Sequence, residues 1–127
     1  MIKHATVLAA LQAATEGLLY PSETDAPVKA FAWAGDGAPT AAALASSRGL
    51  PADAAVETST IGDEIGPLAG TDGGDDAPRW QAILDLVARD LEDVAVYRIG
   101  GPEVFLAIVG RTASGAWVGL ETRAVET

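Results

Sequence analysis

Apolar residues near the start of the chain recur every three or four positions: Val7, Leu8, Leu11, Ala14, Leu18 and Leu19. That is the period of one helix face. It predicts a helix over residues 2–19, with Gly17 near its end and Pro21 stopping it. The pattern then changes to alternation. Val28, Ala30 and Ala32 fall on one side and Lys29, Phe31 and Trp33 on the other, which predicts a strand over 28–33. Gly35-Asp36-Gly37 signals a turn. Thr40 is placed to cap a short alanine-rich helix over 40–48, which Gly49 and Pro51 end.

Val56 to Ile61 reads as a further strand. Gly62 to Gly74 holds five glycines and Pro67, and reads as a loop. Asp75 or Asp76 is the expected cap of the next helix, with Pro78 in its first turn, where a missing N–H costs little. Trp80, Ile83, Leu84, Val87 and Leu91 mark that helix as amphipathic, the clearest periodic signal in the chain. The last third reads as a β-meander. A strand over 94–99 meets a two-residue turn at Gly100-Gly101. A strand over 103–111 follows, then a turn at Ala113-Ser114-Gly115 and a last strand, Ala116 to Val125.

Val104 to Val109 is apolar on both faces. An antiparallel strand normally keeps one polar face, so continuous apolarity implies helices on either side of the sheet. The expected order is αβαβαβββ. The expected class is α+β: a three-layer α/β/α sandwich with a central, mainly antiparallel sheet. At 127 residues the chain is expected to form a single domain, 1–127. No apolar run approaches the roughly 18 residues that read as a membrane span. The segment Met1-Ile2-Lys3-His4 opens no signal-peptide pattern, so the expected location is the cytoplasm. The absence of cysteine removes disulfides, thiolate chemistry and cysteine zinc sites.

Charge narrows the class of partner. Eight basic and eighteen acidic residues give a net charge of −10. Such a chain is not expected to bind nucleic acid, where phosphate contacts supply most of the affinity. It suits a partner with a basic groove, or acidity serves solubility alone. Between Arg48 and Arg79 no basic residue interrupts Asp53, Glu57, Asp63, Glu64, Asp72, Asp75 and Asp76. Part of that segment is expected to stay solvated and extended.

Enzyme signatures are sparse. No phosphate-loop pattern occurs. Gly35-Asp36-Gly37 lacks the third glycine of a dinucleotide fingerprint. Ser114 lies in a turn that is not a nucleophile elbow. The one histidine, His4, sits in the first turn of the first predicted helix and reads as a surface residue. No cofactor is implied, and the chain reads as a non-enzyme. Asp72-Gly-Gly-Asp-Asp76 departs from the calcium-loop register and reads as a solvated loop with a helix cap. Trp33, Trp80 and Trp117 read as core aromatics. Pro21-Ser-Glu-Thr-Asp-Ala-Pro27 is a short acidic loop bracketed by prolines, whose pre-set φ stiffens it. It is either an ordinary helix-to-strand connection or a rigid mount for Glu23. The ending Val125-Glu126-Thr127 follows a strand, which would hold the α-carboxylate in a fixed place. With a reference pKa of about 3.5, that group is ionised at neutral pH.

Three stretches carry a resemblance. They are Leu11-Gln-x-Ala-x-x-Gly-Leu-Leu-Tyr-Pro-Ser-Glu-Thr-Asp-x-Pro27 with Phe31-x-Trp33, then Val96-Tyr-Arg-Ile-Gly100, then Gly110-x-Thr-x-x-Gly115 with Val125-Glu-Thr127. Together they resemble the nuclease A inhibitor family, small proteins that block a sugar-nonspecific DNA/RNA endonuclease. The resemblance covers roughly residues 7–35 and 79–127 and is weak between them. It implies an α/β/α sandwich and a protein partner. It also implies that the C-terminal threonine carboxylate, here Thr127, sits on the nuclease's catalytic magnesium, in the complex only. The glutamate of the Ser-Glu loop, here Glu23, would reach the same active site. Ser22, Thr24 and Glu126 complete the partner-binding set so implied. Magnesium favours hard oxygen ligands, so a carboxylate would stand in for a substrate phosphate oxygen and block the ion's Lewis-acid role. One departure stands out: the family inhibitor carries a tryptophan in its acidic central segment, and the corresponding stretch here has none.

The expected function is therefore a monomeric proteinaceous inhibitor of a magnesium-dependent nonspecific nuclease. The alternatives are a non-catalytic interaction module on the same scaffold with another partner, and a metal or small-molecule binder using the acids of 63–76.

Overall fold

A computed structural model describes residues 4–21, 25–34, 37–51 and 53–125, with side chains from residue 6 onward. Helix α1 (His4–Thr15) buries Val7 and Leu11. It is shorter than the 2–19 pattern because Gly17 takes φ +71°, the left-handed conformation that ends helices. Arg79 then donates to the Ala14 carbonyl at 2.9 Å and the Glu16 carbonyl at 2.7 Å, groups a helix end leaves open. The residues beyond form strand β1 (Leu19–Tyr20), paired antiparallel with β2 (Ala26–Pro27). Strand alternation turns Leu19 to solvent and Tyr20 inward, so Leu19 is not part of the helix face its spacing suggested. Ala26 and Pro27, expected to lie in a helix-to-strand connection, are instead paired with β1.

Strand β3 (Lys29–Trp33) and helix α2 (Ala41–Ser47) follow. The Thr40 hydroxyl accepts from the Ala43 N–H at 3.0 Å, the cap its position promised. Strand β4 (Val56–Ser59) stops short of Ile61 because a helix, α3 (Ile61–Ala69), begins there. The expected loop over 62–74 is therefore folded. Thr60 caps α3 by accepting from the Asp63 N–H at 3.0 Å, and Asp63 and Glu64 suit the positive end of the helix. Ile65 and Leu68 reach the core. A 3-10 turn (Thr71–Asp76) leads into α4 (Ala77–Asp90). Asp76 holds the cap position of α4 without a side-chain cap hydrogen bond, unlike the expected aspartate cap. Asp63, Asp72 and Asp75 remain exposed on these elements while Glu64 is turned inward, so this part of the acidic stretch is folded; its extended part is β4, with Glu57 exposed.

The main sheet runs β3-β7-β6-β5-β4, all antiparallel, with β5 (Glu92–Gly100), β6 (Glu103–Arg111) and β7 (Trp117–Val125) at its centre. Gly100 is still paired, with Val104, so the hairpin connection is Gly101-Pro102 and not Gly100-Gly101. The class is α+β. Val104, Leu106 and Ile108 join a core with α1, α3 and α4. Phe105, Ala107 and Val109 point the other way, into a second core with Leu44 and Ala45 of α2. Both faces of β6 are thus covered, as its apolar run requires. Gly119 lets β7 approach β6: a Cβ there would lie 1.9 Å from the Ile108 carbonyl oxygen. Of the tryptophans, Trp80 is fully buried. Trp33 and Trp117 pair across β3 and β7 and are only half-buried. Among the described residues, no helix is long and apolar enough to cross a membrane.

Candidate functional site

The register of β3 on β7 decides which elements share an end of the sheet. Lys29, the first residue of β3, pairs with Glu121, so β7 continues beyond β3 through Thr122 to Val125. Strand β2 lies beside that continuation. The Thr122 hydroxyl donates to the Pro27 carbonyl at 3.0 Å. Hairpin β1–β2 and the last residues of β7 therefore share one end of the sheet. The expected site residues Ser22, Glu23, Thr24, Glu126 and Thr127 lie outside the described residues. Their described neighbours are Pro21 and Asp25 at the hairpin and Val125, opposite Glu103, on β7.

A groove of about 240 Å³ opens at this end. Ala26 and Pro27 of β2, Lys29 of β3, Phe105 of β6, and Glu121 to Arg123 of β7 line it. The Arg123 guanidinium lies 5.8 Å over the Phe105 ring and 3.4 Å from the Glu103 carboxylate. Arg48, at the end of α2, lies 5.2 Å over Phe31 and grips the Glu121 carboxylate through two nitrogens. These contacts fix the groove wall, because a planar guanidinium holding both a carboxylate and a ring has little freedom left.

Behind the hairpin lies a second set of contacts. Arg98 of β5 donates from Nη1 to both oxygens of Glu64, at 3.0 and 2.8 Å. The two side chains are only 16% and 11% exposed. The Tyr20 hydroxyl approaches the same carboxylate at 3.5 Å, and its ring meets Trp80 edge-on at 6.1 Å between centroids. Burial raises the Tyr20 phenol above its ordinary value, and the Glu64 charge adds to the rise while Arg98 opposes it. None of this was visible while 62–74 read as a loop. The signal available was Thr60 three residues before Asp63, with Ile61, Ile65 and Leu68 at helical spacing.

A family model described as nuclease A inhibitor-like protein matches residues 5–127. The chain belongs to that family. No curated protein matches it. The match crosses the hairpin, the central segment where the resemblance was weakest, and the whole of β7. In this nuclease A inhibitor-like protein, Pro21 and Asp25 of the hairpin and Val125 of β7, the described neighbours of two of the segments that carried the resemblance, lie on elements that share one end of the sheet.

Proposed function

We propose that this chain inhibits a magnesium-dependent, sugar-nonspecific DNA/RNA endonuclease by filling its active site. Family membership over residues 5–127 carries the reading. The shared position of the β1–β2 hairpin and the end of β7 supports it, since one compact probe can present both segments to one cleft. In this reading Glu23 enters the cleft, flanked by Ser22 and Thr24. The Thr127 carboxylate, beside Glu126, takes a position on the partner's magnesium. A carboxylate oxygen is a hard ligand that displaces a water and mimics the substrate phosphate. The complex is one-to-one and forms in the cytoplasm.

The test is a titration of the untagged chain against such a nuclease, beside versions lacking Thr127 or carrying Glu23→Ala. Stoichiometric inhibition is expected from the intact chain. Deleting Thr127 is expected to weaken it by roughly thirtyfold or more, the loss typical of a buried anchor worth about 2 kcal/mol. Equal inhibition by a C-terminally extended chain would sink the carboxylate bridge. No inhibition of several such nucleases at micromolar excess would turn the reading to an interaction module with another partner.

A further inference from the structure

The hairpin is held by few backbone bonds. β1 and β2 share only two residue pairs, Leu19 with Pro27 and Tyr20 with Ala26. A two-stranded ribbon this short does not hold a pose in water by itself. What fixes it must come from side chains that reach the rest of the molecule. Tyr20 is the last hairpin residue before Pro21, and its side chain is buried. Its ring packs on Trp80 of α4, and its hydroxyl points to Glu64 of α3. Glu64 is held by Arg98, which belongs to the Val96–Gly100 stretch that carried the resemblance without a role of its own.

We propose that Glu64 and Arg98, acting through Tyr20, are positioning residues that set the pose of the β1–β2 hairpin for nuclease binding. The proposal rests on the inhibitor reading above. The chemistry suits the task. A carboxylate whose two oxygens both accept from one charged nitrogen loses rotational freedom, which favours one direction for its remaining lone pairs. At this burial the pair is weakly screened. A hairpin held in place before binding spares the complex that ordering cost. Thr122 and the Val28 N–H, which bonds to the Leu18 carbonyl at 3.1 Å, anchor the hairpin's base; Tyr20 anchors it next to Pro21.

Three variants test this, Tyr20→Phe, Glu64→Gln and Glu64→Ala, alone and with Glu23→Ala. Two readouts are used. Hydrogen exchange of the free protein is expected to rise in residues 18–28 of Glu64→Ala, while β5 to β7 keep their protection. Inhibition by Glu64→Ala is expected to weaken about tenfold, as when the ordering of one or two residues is moved into the binding step. Glu64→Gln, which keeps one acceptor, is expected to fall between. In the Glu23→Ala background the Glu64→Ala change is expected to cost much less, since the turn then has nothing to place. Additive losses, or full inhibition by both Glu64 variants, would overturn the proposal. If Glu64→Ala fails to fold, Glu64→Gln decides the same points, with Tyr20→Phe expected to give a smaller change of the same sign in both readouts. If the wild-type chain inhibits no nuclease, the parent reading fails. The exchange arm still judges the positioning device, which unchanged exchange in 18–28 would refute.

Discussion

Tyr20 is the residue whose surroundings most change its chemistry. Burial and the Glu64 carboxylate both favour the neutral phenol, so the folded state holds that proton more tightly than the unfolded chain does. A raised folded-state value has a definite sign. Its stabilisation is fully present below the ordinary value of 10.0 and disappears as pH rises through the folded value. Alkaline titration followed by phenolate absorbance is therefore expected to show a late-ionising tyrosine in the native protein. Tyr20→Phe should abolish that late component while costing little at neutral pH, because the hydroxyl contact is long. Loss of an early component instead would refute the assignment. Arg48 and Arg79 show a second lesson at this scale. Two of the few cations in an acidic chain are spent on internal acceptors: the Glu121 carboxylate, and the Ala14 and Glu16 carbonyls at and just beyond the end of α1.

At the scale of elements, α3 is the instructive case. Five glycines and a proline between 62 and 74 suggested a loop. The helix forms because its ends and its buried face are specified: Thr60 caps it, Asp63 and Glu64 sit in its first turn, and Ile65 and Leu68 are buried. Thr60→Ala is expected to destabilise the protein by about 1 kcal/mol. A shift of the urea midpoint with unchanged slope would show it, and an unmoved midpoint would mean that packing alone holds α3. The long periodic and alternating segments, α4 and β5 to β7, were legible because tertiary packing and local pattern agree there. The turn from α1 to β1 was not, since Leu18 and Leu19 continue the helix spacing and only the conformation of Gly17 breaks it. The site divides the same way. Glu23 and Thr127 could be named from motifs, whereas the common location of their neighbours depends on β3 pairing with β7. Nothing local in either strand declares that partner.

For the whole molecule, the distribution of charge matters more than its sum. Arg48, Arg98, Arg111 and Arg123 all lie in ion pairs across elements. The uncompensated acids Asp63, Asp72 and Asp75 stay exposed along α3 and the 3-10 turn. A field of this kind steers a basic cleft toward the molecule and decays with the Debye length. The association rate with a nuclease is expected to fall about tenfold or more between roughly 0.05 and 0.5 M salt, with the dissociation rate nearly unchanged. Stopped-flow mixing at several salt concentrations measures this, and a salt-independent association rate would remove steering from the account.

The strand order has a further consequence, for synthesis. Strand β3 is made early, yet its one partner in the main sheet is β7, the last strand. Non-local pairings of this kind form late and slowly. On the ribosome β3 must wait with an open edge until β7 has emerged. The edge that waits adjoins the hairpin, and the strand that closes it is the one that reaches the proposed binding end. In the proposed reading the binding end is therefore absent until β7 has paired with β3, and the step that closes that edge is the same step that assembles the proposed working face.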